Sequence, residues 1–523
     1  MPIRSLQSRF QMKMLCWEQY ISEDNPVRVV DAFVDYFEID QLGFEAKGKS
    51  HEGRPAYSRE TLIRLYIYGY LNRIRSSRQL EKATRTNIEL FWLLGEARPC
   101  YKTIANFRKD NSRALRRMFY GFNRFLKGQE LLCGDLVAID GSKFGAQNSK
   151  KNNYNAKKVT QHLDYIAKQT NAYLSDLDRL DSAEESEMEQ LESISEKLEQ
   201  LQGRRIKYEA LQSQLEEARE QGQTQVSTTD PDARALPKRM NIVEMGYNIQ
   251  IGTESDNKLV TNLEVTNQND TYALSDVAKG AKAVLEKTKI RVLADKGYDT
   301  GVELKICTEN EIETYVSPRQ KNTSKKSPKY AKEAFEYLPE KDAYQCPSGA
   351  LLTSNGNWYK KNDGKFRKVY RVKVYKLPFE VCNSCLNKLE CAGAANLKNS
   401  KGRPIERSEY ESYLEGNRER VRLNRGLYRK RQEIVEHPFG TIKRQWGYTY
   451  TLLKGKEKVS GEFHLIFTCY NLRKAISIFG VKGLISRLRA AFWSDTRVTG
   501  LRMPPVDKFC LRTPQLLWSR IAA

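Results

Sequence analysis

The chain has 523 residues, 40% of them apolar, with 88 Lys and Arg against 65 Asp and Glu and a formal net charge of +23. That length exceeds what one core accommodates, so two to four domains are expected. No run reaches the ~18 to 20 apolar residues of a membrane helix, the N-terminus Met1-Pro2-Ile3-Arg4-Ser5 lacks an apolar signal region, and the chain reads as cytosolic with no membrane partner. Excess base favours a polyanionic partner. It is uneven: Asn171 to Gln223 holds fourteen Asp or Glu against six Lys or Arg, a net of −8, leaving +31 for the remainder.

Residues 1–130 read as an all-α domain. Asn25-Pro26 starts an amphipathic helix running to Phe37, a loop follows at Lys47–Pro55, and a second helix spans Ser58 to about Asn72. Ser77 is a cap candidate for a short helix that Leu80 starts, and Asn87–Gly95 forms another. A last helix, Lys102–Asp110, is expected to present Lys102, Asn106, Arg108 and Lys109 to solvent. Short helices ending in a basic one suit a helix-turn-helix-like DNA reader, and equally an ordinary helical bundle.

Strands begin at Asp135–Phe144. Gly246–Gly252 and Leu259–Val265, joined through Ser255-Asp256-Asn257, read as a hairpin. Between them, about 158–224, an acidic segment keeps three-four spacing at Leu191, Ile194, Leu198 and Leu201 and again at Tyr208, Leu211 and Leu215. This is one long helix, or two packed as a hairpin, and its acidic face suits an interaction arm better than DNA. A helix over Ala273–Lys287, a strand at Ile290–Ala294 and a further strand within Glu311–Pro318 complete an α/β pattern.

Asp140 stands against Val137, Ala138 and Ile139, where a charge is costly without a partner. An Asp-Gly pair more often merely turns the chain, so what matters is whether other carboxylates arrive in matching settings. Asp295 ends a second apolar strand, and Glu436 stands in the basic segment Leu423–Tyr448, which a break near Pro438 is expected to interrupt. A continuous helix there would place Glu436 and Lys443 on one face. Asp135 at a strand entrance, Asp299 in a loop and Glu433 a turn from Glu436 are the rival acids. A helix over Gly461 to about Ile478 is apolar enough to pack on the sheet.

Ten cysteines in a long cytosolic chain do not suggest a disulfide scaffold. Cys382 and Cys385 have the spacing of a metal knuckle, Cys391 follows, and Cys346 supplies a fourth thiolate, so the four are candidate ligands of a structural Zn²⁺, with reduced structural thiols as the plain alternative.

The stretches Asn25–Asn111, Ala138–Ser142, Gly246–Gln250, Ala294–Tyr298 and Val435–Arg444 resemble bacterial insertion-sequence DDE transposases, in particular the insertion sequence eleven eighty-two group. The resemblance runs from about residue 20 to 480. It implies an α/β RNase H-like catalytic core, with a mixed five-stranded sheet and flanking helices, over 131–320 and 421–480. It further implies a helical N-terminal domain (1–130) that binds the element's terminal inverted repeats. Around these lie the acidic, coiled-coil-like insertion (158–236), a basic Cys-containing insertion (321–420) and a C-terminal tail (481–523). The family's acidic triad falls on Asp140, Asp295 and Glu436, which would bind two Mg²⁺ or Mn²⁺ ions for phosphodiester hydrolysis and transfer. Lys443 keeps the family's spacing after the Glu, whereas Arg431 stands one residue farther from Glu436 than usual, which puts the roles of Tyr428 and Arg431 in question. Lys443, Arg444 and Lys296 would grip phosphates, and Trp446 is a candidate for base stacking. The expected function is a nucleoid-associated transposase acting on double-stranded DNA as a dimer or higher assembly. A metal-dependent nuclease and an inactive DNA-binding regulator are the alternatives.

Overall fold

The computed structural model describes residues 16–45, 56–147, 150–181, 188–220, 224–237, 243–319, 328–362, 369–399 and 402–493. The expected loop at 47–55 and the tail from 494 lie outside them. After a single helical turn at Trp17–Tyr20, six longer helices open the described residues: α1 (Val27–Asp35), α2 (Arg59–Leu71), α3 (Ser77–Ala83), α4 (Ile88–Leu94), α5 (Tyr101–Asp110) and α6 (Ser112–Gly128). Local chemistry sets their starts. The Asn25 carboxamide accepts from Val27 N–H at 2.9 Å, Ser58 Oγ from Thr61 N–H at 3.1 Å, and Asn87 from Glu89 N–H at 2.8 Å, each satisfying a donor that a helix start leaves open. At α3 the cap position falls on Ser76, not Ser77, and no side chain caps it.

The sheet comprises β1 (Leu136–Gly145), β2 (Arg234–Pro237), β3 (Val243–Glu254), β4 (Val260–Thr266), β5 (Ile290–Ala294) and β6 (Ile312–Val316). Its order is β2-β3-β1-β5-β6, with β4 also paired to β3. β3 is antiparallel to β1, β2 and β4, whereas β5 is parallel to β1 and β6. The sheet therefore has six strands rather than five. The extra one, β2, returns from the acidic insertion and pairs with the first residues of β3. Without β2, the mixed order fits an RNase H-like core.

The acidic insertion is a helix hairpin, α7 (Ala156–Asp181) and α8 (Met188–Glu220). It has its own small core, including Val159, Ile166, Leu201, Tyr208 and Leu211, and Asn153–Tyr154 paired with Val226–Ser227 close its base. After β4, α9 (Leu274–Leu285) leads to β5, and α10 (Gly301–Glu309) crosses over to the parallel β6.

The Cys-containing insertion, read from sequence only as polar and basic, is a second sheet. Its strands are β7 (Glu336–Leu338), β8 (Ala343–Gln345), β9 (Leu351–Ser354), β10 (Tyr359–Asn362), β11 (Val369–Lys376) and β12 (Ile405–Ser408). All their pairings are antiparallel.

Three helices complete the described residues: α11 (Glu411–Leu423), α12 (Arg425–Gly440) and α13 (Lys456–Trp493). The break expected near Pro438 does not occur there. α12 carries Pro438 inside it, and irregularity follows as a π-helical turn over Thr441–Gln445. α13 runs past residue 480 through a kink at Gly480, whose φ is 69°.

One hydrophobic core joins the N-terminal helices, the sheet and α13. Their junction is polar and saturated: Asn471 accepts from Val260 N–H at 3.0 Å and donates to Val260 O and Asn123 Oδ1, both at 2.9 Å. Asn123 donates to Thr261 O at 2.7 Å. The two carboxamides thus cover backbone groups that an edge strand leaves exposed. Among the described residues no helix is long and apolar enough to cross a membrane.

Candidate active site

Asp140 lies mid-strand in β1, opposite Ile251 of β3. Pairing with β5 covers β1 only from Leu136 to Ala138, so Asp140 stands where its neighbour ends. Asp295 follows that end directly: its Oδ1 accepts from Gly297 N–H at 2.6 Å and caps the short turn Lys296–Tyr298. The topology thus brings together two acids 155 positions apart, at the carboxyl end of a strand of an open α/β sheet, the usual place for a site.

A third carboxylate, Asp270, joins them. Its Oδ1 accepts from Asn248 Nδ2 at 2.8 Å and Gln250 Nε2 at 2.7 Å. The Gln250 carbonyl in turn accepts from the fully buried Tyr298 hydroxyl. Two glycines make room. A Cβ on Gly141 would lie 2.1 Å from Gln250 Nε2 and 2.5 Å from Asp270 Oδ1, and one on Gly297 would lie 2.7 Å from Asp295 Oδ1. Asp270 escapes the sequence reading because it sits in a polar connection. Asn248 and Gln250, polar residues alternating along a buried strand, are the available signal.

Burial, with the charges of Asp295 and Asp270, pushes the Asp140 carboxyl up to about 7, against the opposing pull of Arg431. Arg431 Nη1 stands 4.0 Å from Asp140 Oδ2. It reaches there from α12, whose Ile434 and Val435 pack on Leu136, Ala138 and Leu293, one turn further along the same face. Tyr428 is half-buried beside that cluster. Its Arg431 neighbour is therefore at the site despite the irregular spacing.

Glu436 occupies α12 one residue beyond Val435. It is exposed, and its Oε1 accepts from Gln432 Nε2 at 2.8 Å. His437 next to it is bonded to the Tyr470 hydroxyl at 2.7 Å, which anchors α12 on α13. Among the described residues, no three His, Cys, Asp or Glu side chains are gathered as a finished metal-binding group. The donor set nevertheless suits a hard divalent cation: clustered carboxylate oxygens, one of them raised by burial and by its acidic neighbours, gain when a cation neutralises them.

The rival acids have other partners. Asp135 pairs with Arg291 at 2.8 Å, Glu433 with Lys258 at 3.1 Å, and Asp299 accepts from Arg319 N–H at 2.8 Å. Arg319 also donates from Nε to Lys296 O at 2.9 Å, clasping the turn that Asp295 caps. Sequence reasoning missed it.

The basic residues divide. Lys296 and Arg444 are exposed, as are Lys102, Asn106 and Lys109 on α5. Lys443 donates to Lys143 O at 2.7 Å, 4.2 Å above the Phe144 ring, and so belongs to the end of β1; it lies in the π-helical turn, not on a continuous α-helical face with Glu436. Two expectations are corrected. Arg108 is 5% exposed and donates to the Tyr70 hydroxyl at 2.8 Å, so it faces the bundle. Trp446 is 4% exposed against Tyr448 and offers no face to a base.

Residues 15–110 match the family described as "Transposase domain (DUF772)", and residues 345–476, which include Glu436 and most of the second sheet, match "Transposase DDE domain". No curated protein matches. Among solved structures, the chain is similar to the piggyBac transposase of a cryo-EM synaptic complex with hairpin DNA. That likeness has 10% identity, covers 90% of this chain and 79% of that one, and has a TM-score of 0.31. The two family matches, one ahead of the sheet and one behind it, are both to transposase domains and together support a DDE transposase of the insertion-sequence kind.

Proposed function

We propose that this transposase binds the terminal inverted repeats of its element, cleaves the DNA strands there and joins the 3′-hydroxyls to target DNA. Asp140, Asp295 and Glu436 are its catalytic acids. The observation that carries the reading is Asp140 half-buried mid-strand with Asp295 beside it at the end of the neighbouring parallel strand. Bound by these carboxylates, two Mg²⁺ or Mn²⁺ ions would supply the Lewis acidity for in-line attack on a phosphodiester.

The chain's own groups do the rest. Bonds from Gly141 N–H to Asp140, Gly297 N–H to Asp295 and Gln432 Nε2 to Glu436 orient the acids before substrate arrives, and Arg431 offers a fixed positive charge beside Asp140. Lys296 and Arg444 meet backbone phosphates, giving salt-sensitive affinity that carries no sequence information. Lys102, Asn106 and Lys109 give α5 an exposed polar face for the repeats, which supports a DNA-binding role for residues 1–130. Pairing two ends calls for a dimer or higher assembly. The core assigned to 131–320 and 421–480 extends along α13 to Trp493.

The test is incubation with Mg²⁺, labelled DNA carrying the element's ends and a target plasmid, for the native chain and for Asp140→Ala, Asp295→Ala and Glu436→Ala. Joined product lost in all three supports the proposal. Cleavage without joining by the native chain makes it a nuclease. Retained activity in Glu436→Ala removes Glu436 from the set and turns attention to Asp270 and Glu433.

A further inference from the structure

The second sheet is too thinly built to hold its own periphery. Its buried core is Phe335, Tyr344, Leu352, Tyr375 and Ile405, with Cys346 and Cys391 packed against it. From β11 the chain passes into three helical pieces, Phe379–Asn383, Lys388–Cys391 and Ala394–Lys398, of four or five residues each. Pieces this short have no stability of their own. They also bring little apolar surface to the core: Leu386 is 100% exposed and Leu389 66%. Small units with so little core commonly rely on a disulfide or a metal.

The four cysteines of this region line one pocket. Cys346 stands on the turn after β8, where its N–H donates to Ala350 O at 2.9 Å and its carbonyl accepts from Gly349 N–H at 2.8 Å. Gly349 closes that turn at φ 86°. Cys382 lies in the helical piece Phe379–Asn383 and Cys385 two residues beyond its end, with Ser348 Oγ 3.7 Å from Cys385 Sγ. Gly402 passes so close that a Cβ there would lie 2.6 Å from Cys382 Sγ. Lys388 and Arg403 line the pocket, and no carboxylate does. Arg403 donates to Cys391 O at 3.0 Å, while its Nε is a buried donor with no acceptor. Two cations and an unsatisfied N–H suit a doubly negative metal–thiolate centre, whose sulfurs accept such bonds.

We propose that Cys346, Cys382, Cys385 and Cys391 bind one structural Zn²⁺ that staples the 379–399 segment to the second sheet. Four Zn–S bonds form and the thiol protons pass to solvent, with no change of oxidation state. Binding would close the sulfurs onto one centre, which they have not reached in the chain as described.

The experiment uses the full-length protein. Metal analysis after dialysis is expected to find about one zinc per chain, with X-ray absorption giving four sulfurs at about 2.3 Å. Replacing zinc with Co²⁺ should give the intense charge-transfer bands of a tetrathiolate site, a readout that needs no variant. Cys385→Ser should reduce retained zinc to about a tenth or less, whereas Cys133→Ser, an exposed thiol outside the pocket, should leave it unchanged. The proposal is overturned by a native chain that retains no zinc and gives no cobalt bands, by an iron chromophore in its place, or by equal zinc content in the Cys385→Ser protein. None of these outcomes bears on the acidic site, so the two readings fail separately.

Discussion

Gly141 tests how tightly the acidic site is built. In Gly141→Ala the new methyl would fall 2.1 Å from Gln250 Nε2 and 2.8 Å from its Cδ, so the Gln250 side chain must leave. Its departure breaks the 2.7 Å bond to Asp270 and the bond from Tyr298, and leaves a buried tyrosine hydroxyl without an acceptor. Each buried group so orphaned costs about 1 to 3 kcal/mol. Replacing a strand glycine returns about 0.5 to 1 kcal/mol through the unfolded chain. Asp270 keeps its bond to Asn248, which limits the damage on that side, and the net expectation is a loss of about 2 to 4 kcal/mol. Urea unfolding followed by circular dichroism measures it, alongside Gln250→Ala and the double variant. Once Gln250 is truncated only the 2.5 Å approach to Asp270 Oδ1 remains, so the double variant should lose less than the sum of the two single losses. A Gly141→Ala protein within about 0.5 kcal/mol of native, or strictly additive effects, would refute the close packing described.

Three further outcomes follow from other parts of the molecule. Arg108→Ala should lower stability by about 2 kcal/mol or more through its lost bonds to Tyr70 and Arg75. Lys109→Ala should leave stability unchanged but lower the salt slope of DNA binding by about 1; the reverse pattern would restore Arg108 to the surface. Arg75 lies 3.6 Å from the fully buried Glu462 and stacks between Tyr448 and Tyr450. Arg75→Met should therefore cost about 3 kcal/mol in urea unfolding, and adding Glu462→Gln should recover part of it. Burial drives the His464 ring down to about 3, so the folded chain resists a proton that the unfolded chain accepts near its ordinary 6.5. Stability from this group is complete above about pH 6.5 and is lost as pH falls toward 3, amounting to about 2 kcal/mol at pH 5. His464→Leu should remove that part of the decline between pH 7 and 5, and an undiminished decline would contradict it.

What could be read from the sequence was what local pattern encodes. Apolar runs gave β1, β5 and β6, a hairpin spacing gave β3 and β4, and three-four spacing gave the second helix of the acidic arm, α8, within which all the spaced residues fall. Asp140 and Asp295 stood out because a carboxylate against an apolar strand is conspicuous. Asp270 was invisible for the opposite reason: in a polar connection an acid is ordinary, and only the packing of that connection against the Lys296–Tyr298 turn makes it part of the cluster. Arg108 and Trp446 were misplaced because helical periodicity ranks faces by polarity, whereas an arginine among tyrosine hydroxyls and a tryptophan beside Tyr448 are buried by tertiary contacts. The second sheet went unseen since its strands, several of three or four residues, carry almost no alternation. Pro438 misled in another way: the helix absorbs it and defers the irregularity to the π-helical turn beyond.

Metal-specific rescue tests the central claim most directly. Asp140→Cys replaces a hard oxygen ligand with a thiolate, which accepts Mn²⁺ more readily than Mg²⁺. If Asp140 holds a catalytic ion, cleavage of labelled end DNA by this variant should fall at least about 100-fold in Mg²⁺ and recover at least about tenfold when Mn²⁺ replaces it, with the native chain active in both. An Asp140→Cys protein that cleaves at the same rate in the two metals would contradict the account.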